Sequence, residues 1–115
     1  MRCFLRAKLH NARVTATDRD YMGSISLGPE LLRLADIAPF ERVDVYNVDN
    51  GERLTTYAIE GEPGQVCLNG AAAHRAEPGQ RVIVAAYAWL DDEQARAHRP
   101  WVVILGPGNV PVPAQ

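Results

Sequence analysis

Residues 43–59, VDVYNVDNGERLTTYAI, contain two strand-like runs on either side of the turn sequence Asp49-Asn50-Gly51. The runs Val43–Val48 and Leu54–Ile59 are rich in the β-branched and aromatic residues that favour strands. An Asn-Gly pair readily adopts the positive φ angles of a type I′ turn, which joins two antiparallel strands. The stretch therefore predicts a β-hairpin closed by a type I′ turn.

Strand and helix signals elsewhere in the chain are short and separated by turn residues. Gly28 precedes Pro29, which favours the first position of a short helix. Asp91 with Gln94 three residues later is typical of a capped helix start, and this exposed helix should end before Pro100. Three more strand-like runs are present: Val14–Ala16, Ser24–Leu27 and Val82–Ala88. The excess of strand signals over helix signals predicts a mainly β fold with short flanking helices. Closure of the strands into a small barrel would remove exposed edges, although many topologies fit the pattern.

The length and charge of the chain exclude several kinds of protein. Its 115 residues suffice for one hydrophobic core but not for two, which predicts a single domain. The 12 basic and 14 acidic side chains give a net charge of -2 without a basic block, so nucleic acid is not an expected partner. Apolar runs are shorter than the roughly 18 residues of a membrane span, and charges interrupt the N-terminus too early for a signal peptide. A cytoplasmic protein outside the membrane is therefore predicted.

The two cysteines, Cys3 and Cys67, lie far apart in the sequence and lack CxxC spacing. We therefore expect both to be reduced packing residues, with neither a disulfide nor a zinc site. His74 and His98 likewise lack a partner at metal-ligand spacing, so no metal is predicted. Beyond Leu105, prolines and glycines without periodicity predict a loose C-terminal tail.

Four short motifs indicate a chemistry when they are taken together. Each alone has an ordinary explanation as a turn or a strand. They occur in this order: Lys8-Leu9-His10, Tyr21-Met22-Gly23-Ser24, Arg53-Leu54-Thr55-Thr56-Tyr57-Ala58-Ile59 and Asn69-Gly70-Ala71-Ala72-Ala73-His74. In this combination the chain resembles the aspartate 1-decarboxylase family from about Lys8 to Pro100.

The resemblance implies a pyruvoyl-dependent enzyme with a six-stranded double-psi β-barrel fold. Such a chain would be made as a proenzyme that cuts itself between Gly23 and Ser24, yielding a β chain of residues 1–23 and an α chain of residues 24–115. Ser24 would become the pyruvoyl group, which forms a Schiff base with L-aspartate and accepts the electrons left when CO2 departs. The implied product is β-alanine for pantothenate and coenzyme A, made by a homotetramer with active sites between subunits. Neither a metal nor pyridoxal phosphate is implied.

Elementary chemistry is compatible with this cleavage. A serine hydroxyl is a weak nucleophile, but one held against its own peptide bond can reach effective molarities of about 10⁵ to 10⁸ M. Glycine at position 23 is suitable because its bare Cα lets the Ser24 hydroxyl approach and tolerates backbone angles forbidden to other residues.

The resemblance assigns Lys8, His10 and Arg53 to substrate binding. The planar guanidinium of Arg53 offers paired donors that match a carboxylate. Lys8 and His10 are two residues apart, so on an extended segment both side chains project from the same face. The ordinary alternatives are a solvated strand arginine, a surface lysine and a hydrogen-bonded structural histidine.

The resemblance also assigns Thr56 to self-processing and Tyr57 to proton donation after decarboxylation. On a regular strand these neighbours point to opposite faces, so a local bend or a site between subunits is needed for both to serve one pocket. The ordinary alternative is a Thr-Tyr pair that merely favours the strand.

Asn69 and the backbone that follows it are assigned to binding as well. The Asn69 amide can orient the pyruvoyl group or the substrate, and small residues let main-chain N–H groups approach an anion at Gly70, Ala71 and Ala72. An Asn-Gly pair is otherwise an ordinary turn. Tyr46 lies where related enzymes vary and some carry Trp, so its role stays open.

A second class of function also fits a small β-barrel. A noncatalytic binding or regulatory module would use the same fold, because barrels serve many unrelated functions. Intact mass separates the two hypotheses, since only the self-processing enzyme is expected to give two chains.

Overall fold

A computed structural model describes residues 1–113 of the chain. Nine strands lie in this part: β1 Arg2–Arg13, β2 Ala16–Asp18, β3 Ser24–Leu27, β4 Arg42–Asn47, β5 Arg53–Glu60, β6 Val66–Asn69, β7 Arg81–Leu90, β8 Trp101–Gly106 and β9 Val110–Pro111. The α-helices are α1 Pro29–Ala35 and α2 Asp92–Ala97. Two 3₁₀ helices span Gly70–Arg75 and Pro107–Asn109.

The strands form one hydrogen-bonded sheet in the order β2-β6-β3-β5-β4-β7-β1-β8-β9. β3 runs parallel to β5 and antiparallel to β6, and β1 runs parallel to β8. This arrangement confirms the mainly β class and is compatible with a small barrel. The described chain has nine strands rather than the expected six, because short segments such as β2 and β9 also pair with the sheet. The double-psi connection stays a prediction.

The hairpin predicted over residues 43–59 is confirmed, but its turn differs from the one expected. β4 and β5 pair antiparallel. Gly51 has a φ of +76°, whereas Asn50 stays outside the positive-φ region, so the type I′ prediction is wrong. The side chain of Asn47 is the reason, because its Oδ1 accepts hydrogen bonds from the backbone N–H groups of Asp49 and Asn50 and closes a wider loop.

Both α-helices begin where the sequence predicts. α1 starts at Pro29, directly after Gly28, and buries its apolar face. α2 has a reciprocal cap: the backbone N–H of Gln94 donates to Asp91 Oδ1 at 2.7 Å, and the backbone N–H of Asp91 donates to Gln94 Oε1 at 3.0 Å. Across residues 1–113, every helix lacks the length and apolar character that a membrane crossing requires.

β1 and β8 are strands that the sequence pattern does not predict. The twelve residues of β1 pair antiparallel with β7 and parallel with β8. The strand predicted at Val14–Ala16 is wrong for Val14 and Thr15, which lie between β1 and β2. Their N–H groups donate to the carbonyls of Gln80 and Val66, so they bridge two separate segments rather than extend one ladder.

The loose tail predicted beyond Leu105 is wrong for residues 106–112. β9 pairs antiparallel with the end of β8, and the buried Asn109 joins this segment to the end of β1. Its Oδ1 accepts from the backbone N–H of Arg13 at 2.7 Å, and its Nδ2 donates to the Arg13 carbonyl at 3.0 Å. The last part of the predicted tail, residues 114–115, lies outside the described residues.

The two cysteines have different surroundings. Cys67 is buried in β6 as predicted, whereas Cys3 is exposed, so the packing role predicted for Cys3 is wrong. Cys3 pairs across the ladder with the exposed Trp89 rather than with a core residue. Both thiols are free. Over residues 1–113 the structure brings together no group of three side chains that would hold a metal ion.

The central strands separate a core face from an outer face of the sheet. Leu9, Val84 and Val45 lie side by side across β1, β7 and β4, and all three are fully buried. Side chains alternate along a strand, so Lys8 on β1 and Asp44 on β4 point to the outer face. This alternation decides which of the predicted site residues lie together.

Candidate active site

Ser24 occupies a buried and strained position at the start of β3. It is fully buried, and its φ is +138°, where residues with side chains rarely occur. Such a conformation costs on the order of 1–3 kcal/mol. Asn69 lies opposite Ser24 in the ladder between β3 and β6, and its Nδ2 donates to Ser24 Oγ at 3.0 Å. The Ser24 hydroxyl is therefore held in place beside a strained backbone.

Gly70 packs against the peptide that precedes Ser24. Its φ is +61°, and a Cβ atom at this position would lie 2.8 Å from the Cα of Gly23. The close approach requires a residue without a side chain. Gly23 itself does not have a positive φ, whereas Ser24 and Gly70 do. Ser24 therefore has the strained backbone, and Gly70 is the position that must lack a side chain.

We predict that Gly70→Ala slows cleavage at Ser24 by about ten- to a hundredfold, because the added methyl displaces the Gly23 backbone from the hydroxyl. Intact-mass time courses on freshly purified protein give the rate. Gly51→Ala is the matched control, since Gly51 has a φ of +76° and an added Cβ there would meet no described atom within 4 Å. Equal cleavage rates in the two variants would show that contact with Gly23 is unimportant.

A cavity of about 260 Å³ opens onto Ser24. Four other residues of the predicted site line it: Gly23, Thr56, Ala71 and Ala72. The structure therefore brings the cleavage, processing and backbone-binding residues together. Sequence reasoning missed three lining residues: Leu54, Thr55 and Arg75.

Arg75 is the missed residue with the clearest electrostatic consequence. It ends the 3₁₀ helix Gly70–Arg75 and forms an ion pair with Glu52. The carboxylate offsets the positive charge that the guanidinium brings to the cavity. The one available sequence signal was the position of Arg75 directly after the Asn-Gly-Ala-Ala-Ala-His motif.

The other predicted site residues lie on the outer face of the sheet. Lys8 and His10 flank the buried Leu9 on β1, and Arg53 and Tyr57 are exposed residues on β5. The predicted site is thus divided between two faces. We call its first part the serine group, comprising Gly23, Ser24, Thr56, Asn69, Gly70, Ala71 and Ala72. The second part is the outer group, comprising Lys8, His10, Arg53 and Tyr57.

Thr56 and Tyr57 show where this division occurs. Thr56 is half-buried and lines the Ser24 cavity, whereas Tyr57 is 39% exposed with its ring centroid 6.5 Å from that of Phe40. The opposite orientation expected for neighbours on a regular strand is confirmed. A local bend that would turn both side chains into one pocket is absent from β5, which is continuous over Arg53–Glu60 in the described chain.

Arg53 stacks on an aromatic ring. Its guanidinium carbon lies 4.2 Å from the ring centroid of Tyr46. The nearby Asp44 carboxylate is engaged by two hydroxyls: Tyr46 donates to Oδ2 at 3.2 Å, and Thr55 donates to Oδ1 at 2.7 Å. Within residues 1–113, Arg53 forms no ion pair. Its guanidinium therefore remains available to an anion.

A second phenol fixes the ring beneath Arg53. The hydroxyls of Tyr46 and Tyr87 lie 2.8 Å apart. Because Tyr46 donates its proton to Asp44, Tyr87 is the donor in this pair. The hydrogen bond to Tyr46, together with burial, raises the pKa of Tyr87 to about 12. Tyr87 thus stays neutral well above neutral pH and is a weak acid.

His10 has a buried ring nitrogen. Its Nδ1 has no hydrogen-bond partner among the residues that the structure describes. A hydrogen-bonded structural histidine, the ordinary alternative for His10, would have its buried nitrogen paired. The geometry therefore favours a role in which another molecule supplies the partner.

Comparison with known proteins bears on this arrangement. Residues 1–112 match the sequence profile of the family described as aspartate decarboxylase. The chain belongs to this family. A protein named aspartate 1-decarboxylase from Azotobacter vinelandii is 49% identical over 108 residues, which cover 92% of this chain and 86% of the relative. Another protein of that name, from Salinibacter ruber, is 54% identical over 107 residues, which cover 91% of this chain and 73% of the relative.

Membership of the aspartate decarboxylase family confirms the resemblance carried by the four motifs. The match extends beyond the motif-bearing segment and takes in β1 from its first residue and β9. The family assignment therefore covers the serine group and the outer group alike.

Proposed function

We propose that this chain is a self-processing decarboxylase that converts L-aspartate into β-alanine and CO2. It would supply β-alanine for the synthesis of pantothenate and coenzyme A in the cytoplasm. The observation that carries the proposal is the buried Ser24, whose backbone is strained and whose hydroxyl is held by Asn69 directly after Gly23. Membership of the aspartate decarboxylase family supports the substrate and the reaction.

Self-cleavage begins when Ser24 Oγ attacks the carbonyl carbon of Gly23. The new C–O bond replaces the C–N bond, so the acyl group moves to oxygen. The proton lost by the hydroxyl ends on the Ser24 nitrogen, which becomes a free amine. Loss of the Ser24 α proton then breaks the Cβ–Oγ bond and releases residues 1–23 with a terminal carboxylate. Water converts the remaining dehydroalanine into a ketone, and ammonia leaves. Thr56 lines the same cavity, which supports a role for its hydroxyl in polarising the Gly23 carbonyl.

The residues around Ser24 fit the pyruvoyl group that this sequence of steps would leave. Asn69 offers an amide donor, and the small residues Ala71 and Ala72 leave room in the adjoining cavity, next to Gly70. A pyruvoyl group supplies a ketone that serves as a covalent electron sink for decarboxylation. The proposal involves neither a metal nor pyridoxal phosphate.

The outer group would supply the charge and the proton that decarboxylation requires. Aspartate carries two carboxylates, and the guanidinium of Arg53 offers a planar pair of donors for one of them. Lys8 and His10 would hold the remaining negative charge. Tyr57 would return a proton to the α carbon after CO2 has left.

The division between two faces supports a site shared by two subunits. Thr56 lines the Ser24 cavity, whereas Arg53 and Tyr57 lie on the opposite, exposed face of β5, and Lys8 and His10 flank the buried Leu9 on β1. We therefore propose a homotetramer in which the serine group of one subunit meets the outer group of a neighbour. Each subunit would be a single domain, cleaved into residues 1–23 and 24–115.

Two inactive variants should restore activity when they share a tetramer. Ser24→Ala retains an intact outer group, and Arg53→Gln retains an intact serine group, so mixed tetramers contain some sites with both functional parts. Random mixing predicts that about a quarter of the sites are intact. β-Alanine production after coexpression measures the recovery, with each variant expressed alone as control. A mixture no more active than the sum of its parts would contradict a shared site.

Intact-mass spectrometry tests the proposed function as a whole. We expect fragments of residues 1–23 and 24–115, the second lighter by one ammonia than a simple hydrolytic cut would give. An uncleaved chain in a preparation that decarboxylates aspartate would contradict self-processing. An uncleaved and inactive chain would instead support the noncatalytic barrel module.

A further inference from the structure

Cys67 is a buried thiol on β6, two residues before Asn69. Its Sγ lies 3.3 Å from Asn69 Oδ1. On the other side of the same amide, Asn69 Nδ2 donates to Ser24 Oγ at 3.0 Å and to Ser26 Oγ at 2.9 Å. All four residues are more than nine-tenths buried. One amide therefore connects the thiol to the hydroxyl that attacks the chain.

The thiol is the contact that distinguishes the two orientations of the Asn69 amide. A hydroxyl can donate or accept, so Ser24 and Ser26 accommodate either orientation. The thiol proton needs an acceptor, which the amide oxygen provides. The flipped amide would leave this proton unpaired and would direct an N–H at the sulfur, which is a weak acceptor. The other acceptor near Sγ, the Leu68 carbonyl, lies farther away at 3.9 Å. Burial, followed by the charge of Asp18, raises the pKa of the Cys67 thiol and keeps it protonated.

The orientation matters for the attack on Gly23. As the proton of Ser24 leaves, Oγ gains negative charge, which a neighbouring N–H donor stabilises. An amide oxygen in that place would oppose the charge. We propose that Cys67 is a positioning residue for self-cleavage, because its thiol holds Asn69 Oδ1 and so keeps the NH2 group directed at Ser24 Oγ. The inference rests on the proposed cleavage at Ser24.

Variants at position 67 separate hydrogen bonding from packing. Cys67→Ser keeps a donor in place of the thiol, whereas Cys67→Val fills the site without one. Freshly purified proteins are incubated warm, and intact mass gives the fraction cleaved with time. We expect Cys67→Val to cleave about three- to tenfold more slowly than wild type, the size expected for one neutral hydrogen bond, and Cys67→Ser to cleave faster than Cys67→Val.

Thermal unfolding checks that each variant still folds. Cys67→Ala is the control for packing, because it removes the donor without adding volume. Slow cleavage in Cys67→Val and Cys67→Ala together with faster cleavage in Cys67→Ser supports the inference. A wild-type rate in Cys67→Ala, or a Cys67→Ser rate as low as that of Cys67→Val, overturns it. If wild type itself does not cut between Gly23 and Ser24, the proposed function fails instead.

A second measurement asks whether Cys67 acts through Asn69. In an Asn69→Ala background the amide is gone, so Cys67→Val should slow cleavage no further. A merely structural role for the thiol would slow cleavage equally with and without Asn69. That equality would overturn the inference even if the single variants behave as expected.

Discussion

Replacing Ser24 with alanine is expected to abolish both self-cleavage and aspartate decarboxylation while the chain still folds. The substitution removes Oγ, the internal nucleophile and the atom whose departure leads to the ketone. Asn69 keeps Ser26 Oγ as an acceptor at 2.9 Å, so the buried amide is not left unpaired. The expected loss of turnover therefore reflects missing chemistry rather than unfolding.

Intact mass, circular dichroism and β-alanine production on one preparation check this result. Ser26→Ala is the matched control, because Ser26 is buried on the same strand and also accepts from Asn69 Nδ2. It keeps the Ser24 hydroxyl and should still cleave. Decarboxylation by the Ser24→Ala variant would require another cofactor, such as pyridoxal phosphate, and would contradict the mechanism.

The parts of the fold that the sequence predicts are those determined by local contacts. The reciprocal cap of Asp91 and Gln94 and the proline that starts α1 lie within a few residues of the helices they begin. β1 had no comparable signal, because its apolar residues are interrupted by charges and its pairing partners, β7 and β8, lie far along the chain. The side chain of Asn109 contacts Arg13 across 96 positions, which local patterns do not encode.

The residues of the candidate site were predictable, but their distribution was not. The four motifs name Ser24, Asn69 and Arg53 without giving a distance between them. Which face of β5 a side chain occupies depends on the burial and register of neighbouring strands, so the separation of Arg53 from the serine cavity required the structure. The positive φ of Ser24 and the contact of Gly70 with Gly23 arise where β3 meets β6, which sequence spacing does not reveal.

Tyr57→Phe should separate cleavage from turnover. Tyr57 lies on the outer face, whereas the scissile Gly23-Ser24 peptide borders the cavity on the core side of β5. Within one subunit Thr56 and not Tyr57 lines the Ser24 cavity, and no step of the proposed cleavage uses the phenol, so self-cleavage should proceed at about the wild-type rate. Proton return to the α carbon is needed only after the cofactor exists, and the loss of a positioned general acid costs about 10² to 10⁴ in rate.

The measurement pairs the fraction of cleaved chain with kcat and KM for aspartate on the same sample. We expect kcat to fall by the stated factor and KM to fall with it, because the slowed step follows the release of CO2, and the solvent deuterium isotope effect on kcat to increase as protonation becomes limiting. Tyr87→Phe is the matched control, since Tyr87 is 40% exposed against 39% for Tyr57. Its pKa of about 12 makes Tyr87 a poor proton donor, so its loss should lower kcat less than that of Tyr57.

The possible outcomes assign the Tyr57 hydroxyl to one stage of the reaction. Near-normal β-alanine production by Tyr57→Phe would eliminate the Tyr57 hydroxyl as the proton donor. The remaining sources of the proton would be a pocket water or His10, whose Nδ1 lacks a partner within residues 1–113. Failure to cleave would assign the hydroxyl to maturation, and the Ser24 cavity would then have to receive it from a neighbouring subunit, because β5 directs Thr56 and Tyr57 to opposite faces. Normal cleavage with slow turnover and a larger solvent isotope effect on kcat is the pattern expected of a proton donor on the outer face.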